Sequence, residues 1–106
     1  MVIVFESIHD KVPELAELQQ VVTKLEQETH EAEGRVAQLH LEARSAHEDD
    51  LNREAAALNA GRRAPRPTEP DVRAKLEGAQ RRLEVLQRRL ALAQADRVAL
   101  HHWSQR

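Results

Sequence analysis

The 106-residue chain has no cysteine, which excludes disulfides and thiolate chemistry within it. Aromatic residues are almost as scarce, with one Phe, one Trp and no Tyr. A core must therefore be built from leucine, valine and alanine, and a compact globular core is not expected. Three glycines and four prolines are too few for a turn-rich sheet or a low-complexity tail and fit long helices. Long apolar runs are also missing. Met1 to Phe5 is followed by Glu6 and Asp10, so it is shorter than a signal-peptide core and far short of the roughly 20 residues that span a bilayer. These absences point to a soluble, cytoplasmic protein with no membrane partner.

What is present is periodicity. Leu76, Ala79, Leu83, Leu86, Leu90, Ala93 and Leu100 recur at intervals of three, four and seven, the mark of a heptad seam. A helix with such a seam must lay it against another helix. The other long periodic stretch carries Leu15, Leu18, Val22, Leu25, Thr29, Ala32, Val36, Leu39, Ala43 and Ala46 at the same spacings. The expected fold is all-α, a long antiparallel helical hairpin forming a coiled coil. Charge agrees: Pro13 to Ala60 balances to −7 and Asp71 to Arg106 to +4, hidden within a formal net charge of −2, so the two helices attract.

In chain order, residues 1–11 are expected to be extended, because Val2, Ile3, Val4 and Phe5 favour strands. A lone strand needs a partner. It either pairs with the same segment of a second chain or folds back as an apolar flap. Helix one is predicted over 12–60, with Asp10 as N-cap and Pro13 in the first turn. Beyond Ala46 the apolar set moves to Leu51, Ala55 and Leu58, which predicts a stutter in the coiled coil. Glu31 with Arg35 and Asp49 with Arg53 form favourable i,i+4 pairs. Asn59 and Gly61 end the helix, residues 61–69 form an Arg/Pro linker, and helix two follows over 70–104 with Thr68 as N-cap and Asp71 in a capping-box position.

A tight fold at this linker sets Ala60 opposite Pro70. Glu42 then falls near Arg88 and Arg89, Asp49 near Arg81 and Arg82, and His30 near His101 and Trp103. Helix two ends opposite residue 25 or so, leaving Leu15, Leu18, Val21 and Val22 uncovered, and with Leu25 they form the expected oligomer surface. Val85 and Leu92, on a second stripe of helix two, extend that surface. The implied assembly is a homodimer in which two hairpins form a four-helix bundle.

Chemistry is harder to find in this sequence. His40 and His47 are seven apart, roughly 10 Å along a helix, too far to share one ion. A single weak metal site can be drawn from Glu26, His30 and His101, outweighed by ordinary surface histidines. The Glu-x-x-His pairs of di-iron bundles do not occur at matching positions in the two helices. No glycine-rich phosphate loop occurs, and the carboxylates lie on an open coiled-coil face rather than in a dry pocket. No catalytic residue, metal or cofactor is assigned, and the chain is read as a non-enzyme. The leading expectation is a structural, adaptor or regulatory protein acting through protein–protein interaction, using Arg62, Arg63, Arg66 and Trp103 toward a protein partner. The alternative is a nucleic-acid-associated regulator using the tip arginines with Arg81, Arg82, Arg88 and Arg89, although no aromatic lies among them to stack on bases.

Overall fold

The computed structural model describes the backbone of residues 2–104 and the side chains of residues 14–100. It consists of two helices, α1 (Val2–Asn59) and α2 (Glu69–Ser104), and the fold is a helical hairpin. α1 therefore begins ten residues before the expected start at 12, and the extended segment 1–11 is overturned along with the cap at Asp10. The reason is backbone satisfaction. A lone strand leaves its N–H and C=O groups without partners, whereas prolonging an existing helix pairs them within the segment. β-Branched residues oppose this by less than about 0.7 kcal/mol each.

The end of α1 follows the sequence closely. Gly61 adopts a left-handed φ of 71°, Arg62 N–H donates to the Ala57 carbonyl at 2.8 Å, and Gly61 N–H donates to that of Leu58 at 3.0 Å. This pair of bonds is a Schellman motif, and it needs a residue without a Cβ at Gly61.

The chain divides into two units. The first comprises residues 31–83 and contains the turn. Leu39, Ala43 and Leu76 form its buried seam with Ala32 at the edge, flanked by half-buried Val36, Ala46, Val72, Ala79 and Leu83. Burial on α1 keeps its heptad phase to the end: Ala43, Ala46, Asp50 and Ala57 are covered to some degree, whereas Leu51, Ala55 and Leu58 are exposed. The predicted stutter is absent. From Asp50 onward the inner face accepts a carboxylate and Ala57 because α2 begins opposite Asp50.

The register differs from the tight-turn expectation. His40 meets Gln80, His47 meets Glu69, and Asp50 meets Thr68. α2 therefore starts opposite Asp50, not opposite Ala60, and the last nine residues of α1, about 14 Å of helix, are passed only by the connecting segment. Asp49 does not reach Arg81 or Arg82, and Glu42 accepts from Gln38 at 3.3 Å.

The second unit joins residues up to His30 with those from Glu84 onward. Val22, Leu25, Leu86 and Ala93 are its buried core. Buried Thr29 is satisfied locally, its hydroxyl donating to the Leu25 carbonyl at 2.7 Å. Arg97 donates to the Gln19 side chain at 2.9 Å, so α2 runs well past residue 25. Most of the seam expected to be uncovered at this end is covered: Val22 is 0% exposed, Leu25 is buried, and Leu15 and Leu18 are half-buried beneath their own chain, while Val21 stays exposed. Of the mismatch in helix length, 58 residues against 36, the last nine residues of α1 fall at the turn. Between residues 14 and 100 no buried side-chain nitrogen or oxygen lacks a partner.

Candidate functional site

The densest polar constellation lies where α2 begins. Its first turn presents N–H groups that no preceding turn can accept from, and the positive end of the helix dipole adds to their pull on an anion. Asp50, one face of α1 away, supplies that anion. Its carboxylate accepts from the Thr68 N–H at 2.9 and 3.0 Å, from the Glu69 N–H at 2.8 Å, and from the Thr68 hydroxyl at 2.8 Å. Arg53 adds an ion pair at 3.1 Å. The backbone N–H of Thr68 contributes most to holding the Asp50 carboxyl below its ordinary 3.8, against a partial loss of solvent, with Glu69 N–H, the Thr68 hydroxyl and Arg53 acting in the same sense.

Thr68 thus stands at the cap position expected of it, but its hydroxyl donates to Asp50 instead of capping its own helix. Its carbonyl accepts from the N–H groups of Asp71 and Val72. Asp71 does not reach back as a capping box requires; Asp50 occupies the Thr68 N–H, and Asp71 lies 3.8 Å from Arg66 in an exposed pair. The Asp49 and Arg53 pair is also rearranged. Arg53 reaches the Asp49 backbone carbonyl at 3.4 Å, while its charge goes to Asp50.

Beside this latch, Glu69 binds Arg73 through one oxygen and His47 through the other, the latter at 2.7 Å. The Arg73 hydrogen bond, followed by that from His47, holds the Glu69 carboxyl below its ordinary 4.5. A carboxylate can only accept here, so Nδ1 of His47 carries the proton. An open groove of about 500 Å³ follows along the helix pair, with Leu76 and Ala43 at its floor and His40, Arg44, His47 and Arg73 around it.

Chemically this is a structural junction. A general base for neutral pH needs a carboxyl pushed upward and a free lone pair aimed at a pocket. Asp50 and Glu69 are pushed the other way and both oxygens of each are engaged by partners. Among the described residues no group of three or more His, Cys, Asp or Glu is placed to hold a metal. The register also separates Glu26 and His30 from the end of α2, and the side chains of His101 and Trp103 lie outside the described residues. The contact expected of Trp103 with a protein partner lies there too.

The remaining predicted residues are scattered over surfaces. Arg62, Arg63 and Arg66 are exposed at the turn, and Arg81, Arg82, Arg88 and Arg89 are exposed on α2. Of the proposed dimer residues, Val22 and Leu25 are consumed by the hairpin itself. Val21, Val85 and Leu92 remain exposed, Leu92 at 68%. Leu41, Leu51, Leu58 and Val98 join them as exposed large apolar side chains. No described helix is long and apolar enough to cross a membrane.

Sequence reasoning missed Asp50, His47 and Glu69 as a linked set. A signal for Asp50 existed: it is a carboxylate on the inward heptad phase of α1, where an apolar residue belongs, and such a residue asks for a buried donor. Comparison of the chain with protein-family models, with curated proteins and with solved structures returns no match.

Proposed function

We propose that the chain is a non-enzymatic coiled-coil protein that acts through protein–protein contact, as a structural, adaptor or regulatory component. It forms a homodimer and offers the Arg-rich turn to a protein partner. The observation that carries this reading is the contrast between polar and apolar groups. The best-placed carboxylates hold the turn, while seven large apolar side chains among the described residues are left in solvent. Apolar surface beyond what solubility requires is the ordinary sign of an interaction face. Val21, Val85 and Leu92 keep their place in this proposal, and Leu15 and Leu18 keep a partial one.

The test uses the intact chain in cell extract with cross-linking and mass spectrometry. The triple change Arg62→Glu, Arg63→Glu and Arg66→Glu leaves helicity unchanged and removes a reproducible protein cross-link at the turn. Unchanged protein cross-links in the triple variant would overturn the role of the turn.

A second reading has one observation in its favour. Arg62, Arg63, Arg81, Arg82, Arg88 and Arg89 make no ion pair with another described residue, which leaves their charge available to phosphates. A mobility-shift titration with single- and double-stranded oligonucleotides separates the two. A shift that weakens steeply with salt supports a nucleic-acid regulator; no shift at low salt dismisses it.

A further inference from the structure

Three leucines of α1 face away from α2 with nothing of their own chain over them: Leu41 is 63% exposed, Leu51 53% and Leu58 60%. They are in phase with one another. At about 100° per residue, Leu41 stands on the side of α1 opposite buried Leu39 and Ala43. The same stripe, stepping by three and four, continues through Gly34 and Ala37 at one end and Ala55 near the other. Its centre holds two exposed charged residues of opposite sign, Arg44 and Glu48. What read in the sequence as a stutter of the inner seam is an outer heptad stripe running unbroken over residues 34–58.

We infer that this stripe is the docking surface for a second copy of the chain, packed antiparallel with its two-fold axis at the level of Ala46. The stripe is complementary to itself in that register and no other occupant is needed to complete it. Turning it end for end sets Arg44 against Glu48 of the other copy, twice. Leu41 meets Leu51, again twice, and Ala37 meets Ala55. At each end Leu58 falls on Gly34. Every pair joins an a position to a d position, the pairing that antiparallel coiled coils use. The flanks agree as well: Ser45 and His47 each meet themselves, Gln38 meets Asn52, and His40 lies against Glu54, with no two acidic and no two Lys or Arg side chains opposed.

Gly34 supplies an independent sign. A glycine in mid-helix destabilises it, and a Cβ built at Gly34 meets nothing within 4 Å, so the hairpin has no packing reason for it. A leucine from a neighbouring helix seated on Gly34 does. The charged centre gives the register its specificity, since a parallel arrangement sets Arg44 against Arg44 and Glu48 against Glu48.

This inference deepens the protein-contact reading by naming one partner and its face. It rests on that reading only for its biological purpose, and its test is separate. The chain is free of cysteine, so single cysteines can be placed at will. Gly34→Cys and Leu58→Cys proteins are mixed and oxidised mildly. The antiparallel register yields a mixed 34–58 disulfide at twice the 12.1 kDa of one chain, while like-with-like disulfides are suppressed because those positions lie roughly 36 Å apart. In parallel, light scattering follows charge reversals in the otherwise unaltered chain. Arg44→Glu alone or Glu48→Arg alone shifts the mass toward monomer, and the double reversal restores the dimer. A monomer at all concentrations, preferential like-with-like disulfides, or a dimer indifferent to the single reversals and lost instead on Val85→Asp and Leu92→Asp would each overturn the proposal. A monomer whose turn still cross-links a protein leaves the broader reading intact, and a dimer of this register that binds only nucleic acid does the reverse.

Discussion

Leu39 and Leu41 are two residues apart on one helix, and the structure assigns them opposite fates. Leu39 is 1% exposed and Leu41 63% exposed. Truncating a fully buried leucine to alanine removes its burial and leaves a cavity, which costs about 2–5 kcal/mol. A two-helix seam is open along its sides and collapses more readily than a globular core, so Leu39→Ala belongs near the low end, about 2–3 kcal/mol. For a chain of this size each kcal/mol moves the unfolding midpoint by roughly 4–8 °C, which gives a fall of about 8–24 °C. Leu41→Ala, by contrast, changes the stability of a single hairpin by less than about 0.5 kcal/mol. The assay is thermal unfolding by circular dichroism at the lowest concentration that gives a clean signal, so that association does not contribute. Raising the concentration should then separate the two further: the wild-type and Leu39→Ala midpoints rise with concentration, and the Leu41→Ala midpoint does so less. Equal losses at low concentration, or a larger loss from Leu41, would refute the assignment of inner and outer faces and everything built on it.

Other outcomes follow from the turn and its glycines. Asp50→Asn puts an amide where four donors converge, and hydrogen exchange should show lost protection at the Thr68 and Glu69 amides while the Leu86 region stays protected. Because the Asp50 and Glu69 carboxyls are held below their ordinary values in the folded chain, their contribution is complete above about pH 4.5 and is lost as the pH falls through the folded values; acid titration of Asp50→Asn should be the shallower curve. Gly34→Ala should raise the hairpin's midpoint by roughly 4–8 °C, since it recovers about 1 kcal/mol of helix propensity at a site with open space, yet weaken the dimer if Leu58 of a neighbour sits there. Gly61→Ala should cost about 1–2 kcal/mol of left-handed strain and so lower the midpoint by roughly 4–16 °C in the same unfolding scan.

Much of the hairpin is readable from residues close together in the chain. The seams of Leu76 to Leu100 and Leu15 to Ala46 depend on a spacing of three and four, and the helix itself turns that spacing into a face. Gly61 and Thr68 mark the ends of α1 and α2 through backbone conformation and first-turn donors, which are equally local. The N-terminal segment misled because the strand preference of Val2 to Phe5 is local too, and it yields to a helix already running beside it.

Register is a different kind of quantity. A heptad seam slid along its partner by one repeat still sets leucine against leucine, so periodicity leaves several alignments nearly equal in apolar burial. What separates them is a contact between residues 18 apart, the Asp50 carboxylate on the Thr68 backbone, and no reading of spacing announces it. That contact decides that the last turns of α1, rather than Leu15 to Leu25, stand without α2 beside them. The helices and their inward faces were therefore present in the sequence alone, because helical periodicity is set within a few residues. Which stretch of apolar surface is left for another molecule was decided only in three dimensions, because one ion-to-helix contact selects a single alignment among near equals.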